Sequence, residues 1–260
     1  MGFLSDVVEQ VRKGLELKRP DDSALMARAV SMPPVRDFTP VLAGERPAFI
    51  AEIERASPWS GPAGEIDPRA LARAYAAGGA SALSVVTEPR HFDGSLSDLR
   101  AAHLSCRLPV LRRDFLVHPA QLMETRAHGA DGAFIVAAAL TDAELQAMVR
   151  TAADLGLAAV VETHSREDLD RAAAAGATVV CINERDPESL SVDEDRALEL
   201  VRKAEPEWPV ILTGSIFRRE QVERAAEAGA SALLVGEALV RARNPAAKLR
   251  QLRGELASVQ

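Results

Sequence analysis

The sequence predicts an α/β protein, a (βα)8 TIM barrel with an N-terminal helical extension. From about residue 48, short aliphatic or β-branched runs alternate with longer alanine-rich, amphipathic stretches, which is typical of repeated strand-helix units. The length agrees, because 260 residues are close to the roughly 250 that one such barrel requires. The eight predicted strands lie at residues 49–53, 83–86, 110–111, 133–136, 158–161, 179–182, 210–212 and 233–235.

A glycine-alanine motif separates several predicted helices from the strands that follow them. It reads Gly-Gly-Ala-Ser-Ala at 78–82, and related forms occur at 129–133, 176–179 and 229–232. A helix that ends on glycine and turns at once into a buried strand explains this motif. An open doubly wound sheet is the alternative, but that fold usually carries a glycine-rich phosphate loop after its first strand, and none follows Ile53. We therefore predict the closed barrel.

Residues 1–47 are predicted to form the helical extension and residues 48–260 the barrel, within a single domain overall. Pro33, Pro34 and Pro47 mark the end of the extension, because proline interrupts a helix. The first residues contain no basic start, no sustained apolar segment and no cleavage site of a signal peptide. We therefore expect a cytoplasmic location.

Composition and charge exclude several classes of partner and cofactor. The net charge is -7, and the basic residues are scattered without interleaved aromatics, so we expect neither nucleic acid nor a membrane as partner. Cys106 and Cys181 are far apart and are expected to be small core residues. The five histidines have no metal-binding spacing. Only His164, which follows Glu162 on the fifth predicted strand, is a candidate site residue. We predict no metal and no cofactor, and a monomer or weak homo-oligomer.

The chemistry is expected at the C-terminal ends of the strands, where the active sites of such barrels lie. The two-residue period of a strand places Glu52 and Glu54 on the same inward side of the first one. An unpaired buried carboxylate is costly, so Glu52 and Glu162 must meet cations, water or substrate; a structural ion pair is the alternative interpretation. The third, fifth and sixth runs end with further polar residues, Arg113, His164 and Asn183.

A phosphate site is predicted at the ends of the seventh and eighth strands. Barrels of this kind commonly bind phosphate there with free backbone amides and a helix N-terminus. Gly214, Ser215, Gly236 and Glu237 are placed to supply such amides, and Arg185 could add a charged clamp. A tight turn between strand and helix is the alternative role for Gly236. The serines have no Gly-x-Ser-x-Gly setting, so a serine hydrolase has little support.

Longer segments follow the motif order of one enzyme family. They read Pro-Val-Arg-Asp-Phe at 34–38, Ile-Ala-Glu-Ile at 50–53, Pro-Val-Leu-Arg-Arg-Asp-Phe at 109–115, Val-Glu-Thr-His at 161–164, Ile-Asn-Glu-Arg at 182–185 and Val-Gly-Glu-Ala-Leu at 235–239. Over most of its length the chain therefore resembles the indole-3-glycerol phosphate synthase family. The resemblance implies closure of the pyrrole ring of a carboxyphenylamino-deoxyribulose phosphate, with loss of carbon dioxide and water.

The resemblance also implies a role for each matching residue. Glu52 and Glu162 would be active-site carboxylates, with Glu162 as the proton acceptor, and Asn183 would hydrogen-bond the substrate. Arg185 and the amides of Gly236 and Glu237 would hold the phosphate. The remaining implied substrate contacts are Phe92 and Phe115 against the aromatic ring, Ser57 in the loop after the first strand, Glu54 and His164.

Three positions depart from the family pattern. Glu54 replaces a lysine that lies beside the substrate carboxylate in the family, Arg113 replaces the lysine that acts as general acid, and residues 213–216 read Thr-Gly-Ser-Ile instead of Glu-Ser-Gly-Ile. The four lysines of the chain, Lys13, Lys18, Lys203 and Lys248, all lie away from the predicted strand ends. We expect Glu54 and Arg113 to form an ion pair, because each alone would be an uncompensated charge at the mouth of the barrel.

These observations predict a carbon-carbon lyase and cyclase that acts on an arylamino-pentulose phosphate or a related phosphorylated substrate, with an altered substrate or reaction. Arginine stays protonated near neutral pH, so Arg113 can stabilise an oxyanion but is a poor proton donor. One alternative is an ordinary indole-3-glycerol phosphate synthase of tryptophan biosynthesis in which Arg113 replaces the lysine acid. The other is a non-catalytic barrel that binds a phosphorylated ligand or a partner protein.

Overall fold

Eight parallel strands close into a barrel, each paired with its neighbours in sequence order around the ring. This computed structural model describes residues 2–17, 21–44, 47–205 and 208–255. The first and last strands pair with each other, so the ring has no open edge. The strands are β1 (Ala48–Ile53), β2 (Ala82–Val86), β3 (Val110–Arg113), β4 (Gly132–Val136), β5 (Ala158–Thr163), β6 (Val180–Asn183), β7 (Val210–Thr213) and β8 (Ala232–Val235). The predicted fold class is confirmed, and each strand overlaps its predicted run.

Helices surround the barrel and precede its first strand. They are α1 (Phe3–Leu17), α2 (Asp22–Ser31), α3 (Thr39–Ala43), α4 (Pro68–Ala77), α5 (Leu96–His103), α6 (Pro119–Ala127), α7 (Asp142–Asp154), α8 (Arg166–Ala174), α9 (Glu194–Lys203), α10 (Arg219–Ala228), α11 (Glu237–Val240) and α12 (Pro245–Arg253). Side chains cap several N-termini; Ser95, for example, accepts the Asp98 amide of α5. None of the helices within the described ranges combines the length and the apolar character that crossing a bilayer requires.

The glycines of the repeated motif end the helices as predicted. Gly229 follows α10 with φ of 104°, and Gly129 follows α6 with φ of 92°. This left-handed conformation reverses the chain into the next strand, and it favours glycine because other residues have a Cβ that clashes there. The motif therefore marks the C-terminal ends of the helices that it follows.

Two apolar layers hold the barrel together. Inward side chains of the strands fill its interior, and a second layer packs between the strands and the surrounding helices. Phe38 and Leu42 pack against the interior layer from the segment before β1. Cys181 is fully buried inside the barrel and Cys106 is half-buried, in agreement with their expected role as core residues. The division of the chain at residue 47 stays a prediction.

Helix α1 reaches the C-terminal mouth of the barrel, a position that the sequence did not indicate. The Arg12 guanidinium binds both carboxylate oxygens of Glu144 on α7, at 2.8 and 3.1 Å. At the other end of α1, the Phe3 amide donates to the Glu188 carbonyl at 3.0 Å. These contacts place Phe3 and Leu4 against the pocket described below.

Candidate active site

A pocket opens at the C-terminal mouth of the barrel. Every site residue predicted from the sequence lines it except Ser57 and Ser215. The strand ends explain this convergence, because parallel strands of a closed ring present their C-terminal ends to one opening. The lining residues from the strand ends and the loops that follow them are Glu52, Glu54, Phe92, Arg113, Phe115, Glu162, His164, Asn183, Arg185, Gly214, Gly236 and Glu237.

Arg113 lies between two inward carboxylates. Its Nη2 is 2.9 Å from Oε2 of Glu162, and its Nε is 3.7 Å from Oε1 of Glu52. The guanidinium also lies over the Phe134 ring, 5.1 Å from the centroid. Burial opposes the charge, but Glu162 and Glu52 outweigh it and raise the pKa of Arg113 above its usual value. Arg113 therefore keeps its proton.

The expected ion pair between Glu54 and Arg113 does not form. Arg113 binds Glu162 instead, because both residues project inward from strand ends of β3 and β5 and meet across the barrel. Glu54 comes one residue after the end of β1 and lies beside Gly236. The two-residue period of the strands correctly placed these residues on the inward side of the barrel. It could not decide which carboxylate contacts Arg113.

Glu162 is held as an ionised carboxylate by three neighbours. Besides Arg113, Asn183 donates its Nδ2 hydrogen to Oε1 at 2.9 Å, and Nε2 of His164 is 3.3 Å from the same oxygen. Burial alone would raise the pKa of Glu162, but Arg113 first, and then His164 and Asn183, lower it to about 2. A buried, ionised carboxylate with a fixed orientation is available as a proton acceptor, although the ion pair with Arg113 lowers its basicity.

Glu52 is fixed from both sides of β1. Ser84 Oγ donates to its Oε1 at 2.8 Å, and the Tyr75 hydroxyl donates to its backbone carbonyl at 3.1 Å. Burial is the largest influence on the pKa of Glu52 and raises it, although Arg113 and Ser84 oppose that shift. Glu52 and Glu162 therefore lie in contrasting environments although both are inward carboxylates.

Glu54 is buried in the pocket wall with 6% of its surface exposed. A Cβ atom on Gly236 would lie 2.9 Å from both Oε1 of Glu54 and Oε2 of Glu52, so a larger residue here would have to displace the two carboxyl groups. Burial first, and repulsion by Glu52 second, raise the pKa of Glu54 to about 8. At neutral pH this carboxyl is therefore mostly protonated.

Aromatic rings form one wall of the pocket, and sequence reasoning identified half of them. Phe92 and Phe115, the two rings named through the resemblance, lie 6.4 Å apart between centroids. Trp59 packs edge-on against Phe92 at 5.7 Å, and Phe3 against Phe115 at 6.1 Å. The low aromatic content of 4% could have drawn attention to Trp59, which comes two residues after Ser57. Nothing in the sequence indicated that Phe3 returns to the barrel.

Arg185 lines the pocket next to Trp59. Its guanidinium carbon lies 4.0 Å from the centroid of the indole ring, and Nη1 donates to the Leu190 carbonyl at 2.6 Å. Burial lowers the pKa of Arg185, and the carboxylates of Glu237 and Glu54 partly offset that effect. The backbone amide of Arg185 donates to Oδ1 of Asn183 at 2.9 Å, which links this cation to Glu162.

Ser215 and Ser57 do not line the pocket. The Ser215 amide donates to Oε2 of Glu184 at 2.8 Å, because Glu184 follows the inward Asn183 and therefore points to the outer side of the strand. Burial raises the pKa of that carboxyl to about 7. Ser57 Oγ lies 2.6 Å from Ser60 Oγ within the loop after β1. No sequence signal indicated the role of Glu184.

The described lysines are on the surface. Lys13 and Lys203 each pair with a glutamate of their own helix, and Lys248 donates to a backbone carbonyl. Lys18 lies outside the described residues. No group of three or more His, Cys, Asp or Glu side chains in the described ranges is arranged to hold a metal ion. The cations that line the pocket are therefore arginines.

Comparison with known proteins points to one family. The family model described as "Indole-3-glycerol phosphate synthase" matches residues 4–252. A Micrococcus luteus protein of that name is 41% identical over 268 residues, covering 100% of this chain and 100% of the relative. A Nocardioides sp. protein of the same name is 39% identical and covers 98% of this chain and 99% of the relative.

Solved structures of more distant proteins share the fold. The 3-hexulose-6-phosphate synthase of Salmonella typhimurium superposes with a TM-score of 0.63 at 14% identity. The match covers 80% of this chain and 97% of that chain. At this identity the similarity describes the barrel and carries no information about the substrate.

Proposed function

The chain belongs to the indole-3-glycerol phosphate synthase family, and we propose that it catalyses the family's decarboxylating ring closure of a carboxyphenylamino-deoxyribulose phosphate. Sequence reasoning favoured an altered substrate or reaction. Whole-length identity of about 40% to relatives named indole-3-glycerol phosphate synthase supports the synthase alternative better. The proposed place of this activity is tryptophan biosynthesis.

The arrangement around Glu162 is the observation that carries the proposal. Glu162 is ionised, buried and oriented by Asn183, so it can accept the proton that the ring must lose. The Arg113 side chain lines the pocket and keeps 20% of its surface exposed, so its guanidinium can approach an oxygen of the substrate. An N–H donor on a fixed cation stabilises negative charge that develops on that oxygen. Arg113 thus supplies the electrostatic part of the lysine's role.

The rest of the pocket matches the two ends of such a substrate. Phe92 and Phe115 offer an apolar wall for an aromatic ring. Arg185, with the backbone amides of Gly236 and Glu237, is proposed to bind the phosphate. Because the Ser215 amide already binds Glu184, it is not part of the proposed phosphate site.

An altered substrate is the second candidate, and the position of Glu54 favours it. The resemblance implies a lysine beside the substrate carboxylate at this position, and a carboxyl group cannot make that ion pair. A substrate without this carboxylate would not need that ion pair. A silent barrel that binds a phosphorylated ligand is the third candidate, and it would not need the ionised Glu162.

Incubation of the pure protein with carboxyphenylamino-deoxyribulose phosphate tests the proposal. We expect fluorescent indole-3-glycerol phosphate to form, with kcat on the order of 1 per second as for an ordinary enzyme. Glu162→Gln keeps the shape but removes the base, so kcat should fall by about 100-fold or more. Absence of product from the unaltered protein would contradict the proposal, and phosphate binding without turnover would then favour the silent barrel.

The ligand class, partners, assembly state and location of the protein are proposed from the sequence alone. We propose a phosphorylated small molecule as the ligand, no nucleic acid or membrane as partner, a monomer or weak homo-oligomer, and a cytoplasmic location. Sedimentation of the pure protein over a range of concentrations would test the assembly state. A role in specialised metabolism would follow only from the second candidate.

A further inference from the structure

The carboxyl group of Glu54 lines the pocket without a hydrogen bond or ion pair to any residue in the described part of the chain. It shares the space beside Gly236 with Glu52, and one oxygen of each is 2.9 Å from the position of a Cβ at Gly236. The two oxygens are therefore less than about 6 Å apart, a distance at which like charges disfavour double ionisation. One of the two carboxyls has to be neutral or to find a cation.

The cations around Glu54 are committed to other carboxylates. Arg113 binds Glu162 at 2.9 Å, and Arg241 lies 3.3 Å from Glu237. Arg241 also donates to the backbone carbonyl of Ser60 in the loop after β1, at 2.6 Å. These two cations act on Glu54 only from a distance, and Glu237 adds a repulsive charge from α11.

Two further titratable groups face this corner of the pocket. The buried Tyr75 hydroxyl of α4 donates to a backbone carbonyl, and its pKa is raised well above the usual value, first by burial and then by Glu54 and Glu52. It therefore stays neutral. Arg185 contributes a distant positive charge from the loop after β6. Neither group provides a direct partner that would ionise Glu54.

Other proton donors in the pocket are already engaged. Arg113 holds its proton between Glu52 and Glu162, and the Nε2 atom of His164 faces Oε1 of Glu162. Each described lysine has a partner on the surface. The neutral carboxyl of Glu54 lines the pocket and has no direct partner among the described residues.

We propose that Glu54 is the general acid of the ring closure and takes over the proton-donating role of a lysine at the barrel mouth. This inference rests on the proposed function. It assigns opposite tasks to two carboxyls of one pocket, an acid at the end of β1 and a base at the end of β5. Such a division is how enzymes use one residue type for both tasks at one pH.

The protons balance over the whole reaction. The aromatic carbon that carries the carboxylate bonds to the ketone carbon, and the carbonyl oxygen takes the proton of Glu54. The bond to the carboxylate then breaks, carbon dioxide leaves, and its electron pair restores the aromatic ring. Glu54 regains a proton from water at the pocket mouth and passes it to the hydroxyl, which leaves as water. Glu162 accepts the proton from the neighbouring carbon and returns it to water, so one proton is consumed per turnover.

The test compares two substitutions of Glu54 with a surface control. Glu54→Gln keeps the shape and neutrality but has no acidic proton, so kcat should fall by about 100-fold or more. Glu54→Asp keeps an acid at a greater distance and should retain part of the activity. Glu227→Gln, an exposed change on α10, should leave kcat unchanged.

The pH profile separates a donor from a structural residue. In the unaltered protein kcat should fall as pH rises through about 8, because the ionised donor has no proton to give. This alkaline limb should persist in Glu54→Asp and disappear in Glu54→Gln. Infrared spectra at pH 7 should show the C=O stretch of a protonated carboxyl that Glu54→Gln lacks and Glu227→Gln retains.

The outcomes distinguish this inference from the proposed function. Turnover by the unaltered protein with kcat of Glu54→Gln within about threefold of it would overturn the donor role and leave the synthase activity standing. No turnover by the unaltered protein would overturn both, whereas the infrared band would still report whether Glu54 is neutral. Loss of activity without a change in the pH profile would mean that Glu54 only maintains the shape of the pocket.

Discussion

Two glutamates of one pocket have pKa values shifted in opposite directions because their neighbours differ. Glu162 has Arg113 at 2.9 Å and a donor amide from Asn183, and its pKa is about 2. Glu54 is equally buried but has no direct partner within the described ranges, and its pKa is about 8. Burial raises the pKa of both groups, so direct contact with a cation decides which one ionises.

The contact between Trp59 and Arg185 is expected to support substrate binding. A cation over an indole ring contributes about 1 kcal/mol, which corresponds to a roughly fivefold change in affinity. Replacing Trp59 by alanine should therefore raise KM by about fivefold while kcat changes little, and phenylalanine should preserve part of the effect. Steady-state kinetics would measure this, with Leu104→Ala as a control for removal of an exposed apolar side chain. An equal rise in the control would argue against the contact.

At the scale of elements, the β1 loop (residues 54–66) is held in place by several neighbours. Arg55 of this loop forms two 2.8 Å hydrogen bonds to the Asp98 carboxylate on α5, and the same guanidinium donates to the Ile66 carbonyl. From the other side, Arg241 binds the carbonyls of Ser60 and Gly61. The loop that carries Trp59 is thus hydrogen-bonded both to α5 and to Arg241, the residue that follows α11.

Removing the Arg55 contact should loosen the β1 loop. Asp98→Ala breaks a bidentate, partly buried pair and should lower the free energy of unfolding by about 1 to 2 kcal/mol. Amides of the β1 loop should also exchange hydrogen faster, because their opening then costs less. The exposed pair of Arg166 and Asp170 provides the control, since Asp170→Ala should cost less than about 0.5 kcal/mol. Unchanged exchange in Asp98→Ala would show that other contacts hold the loop.

At the scale of the whole molecule, the buried carboxyls make the stability depend on pH in opposite directions. The folded chain binds a proton at Glu54 that the unfolded chain has released, so this group makes stability fall as pH rises from about 4.5 to about 8. Glu162 is the reverse case. Its contribution is present above about 4.5 and is lost as pH falls towards about 2.

Glu54→Gln should therefore remove the decline of stability at neutral and alkaline pH. One pKa unit corresponds to about 1.4 kcal/mol, and we expect the unaltered protein to lose about 2 to 4 kcal/mol more than the variant between pH 5 and pH 8. Urea unfolding at several pH values measures this difference, and Glu227→Gln should follow the unaltered protein. Parallel curves for Glu54→Gln and the unaltered protein would mean that Glu54 is ionised in the folded state.

The sequence alone determined the barrel and the mouth at which the polar residues meet. Strand periodicity, the glycine motif and chain length are local signals, and each strand of a closed parallel ring delivers its C-terminal residue to the same opening. Glu52, Arg113, Glu162 and Asn183 could therefore be placed together before any contact was known. Phe92 and Phe115, in contrast, were identified only through the family resemblance.

Only the tertiary structure decided which of these groups touch and which ones ionise. Arg113 pairs with Glu162 and not with Glu54, and the Ser215 amide donates to Glu184. Phe3, near the start of the chain, packs against Phe115 in the pocket. These contacts join residues distant in sequence, so no periodic pattern records them. The pKa of a carboxyl depends on its burial and on angström-scale distances to charges, and both exist only once the chain has folded.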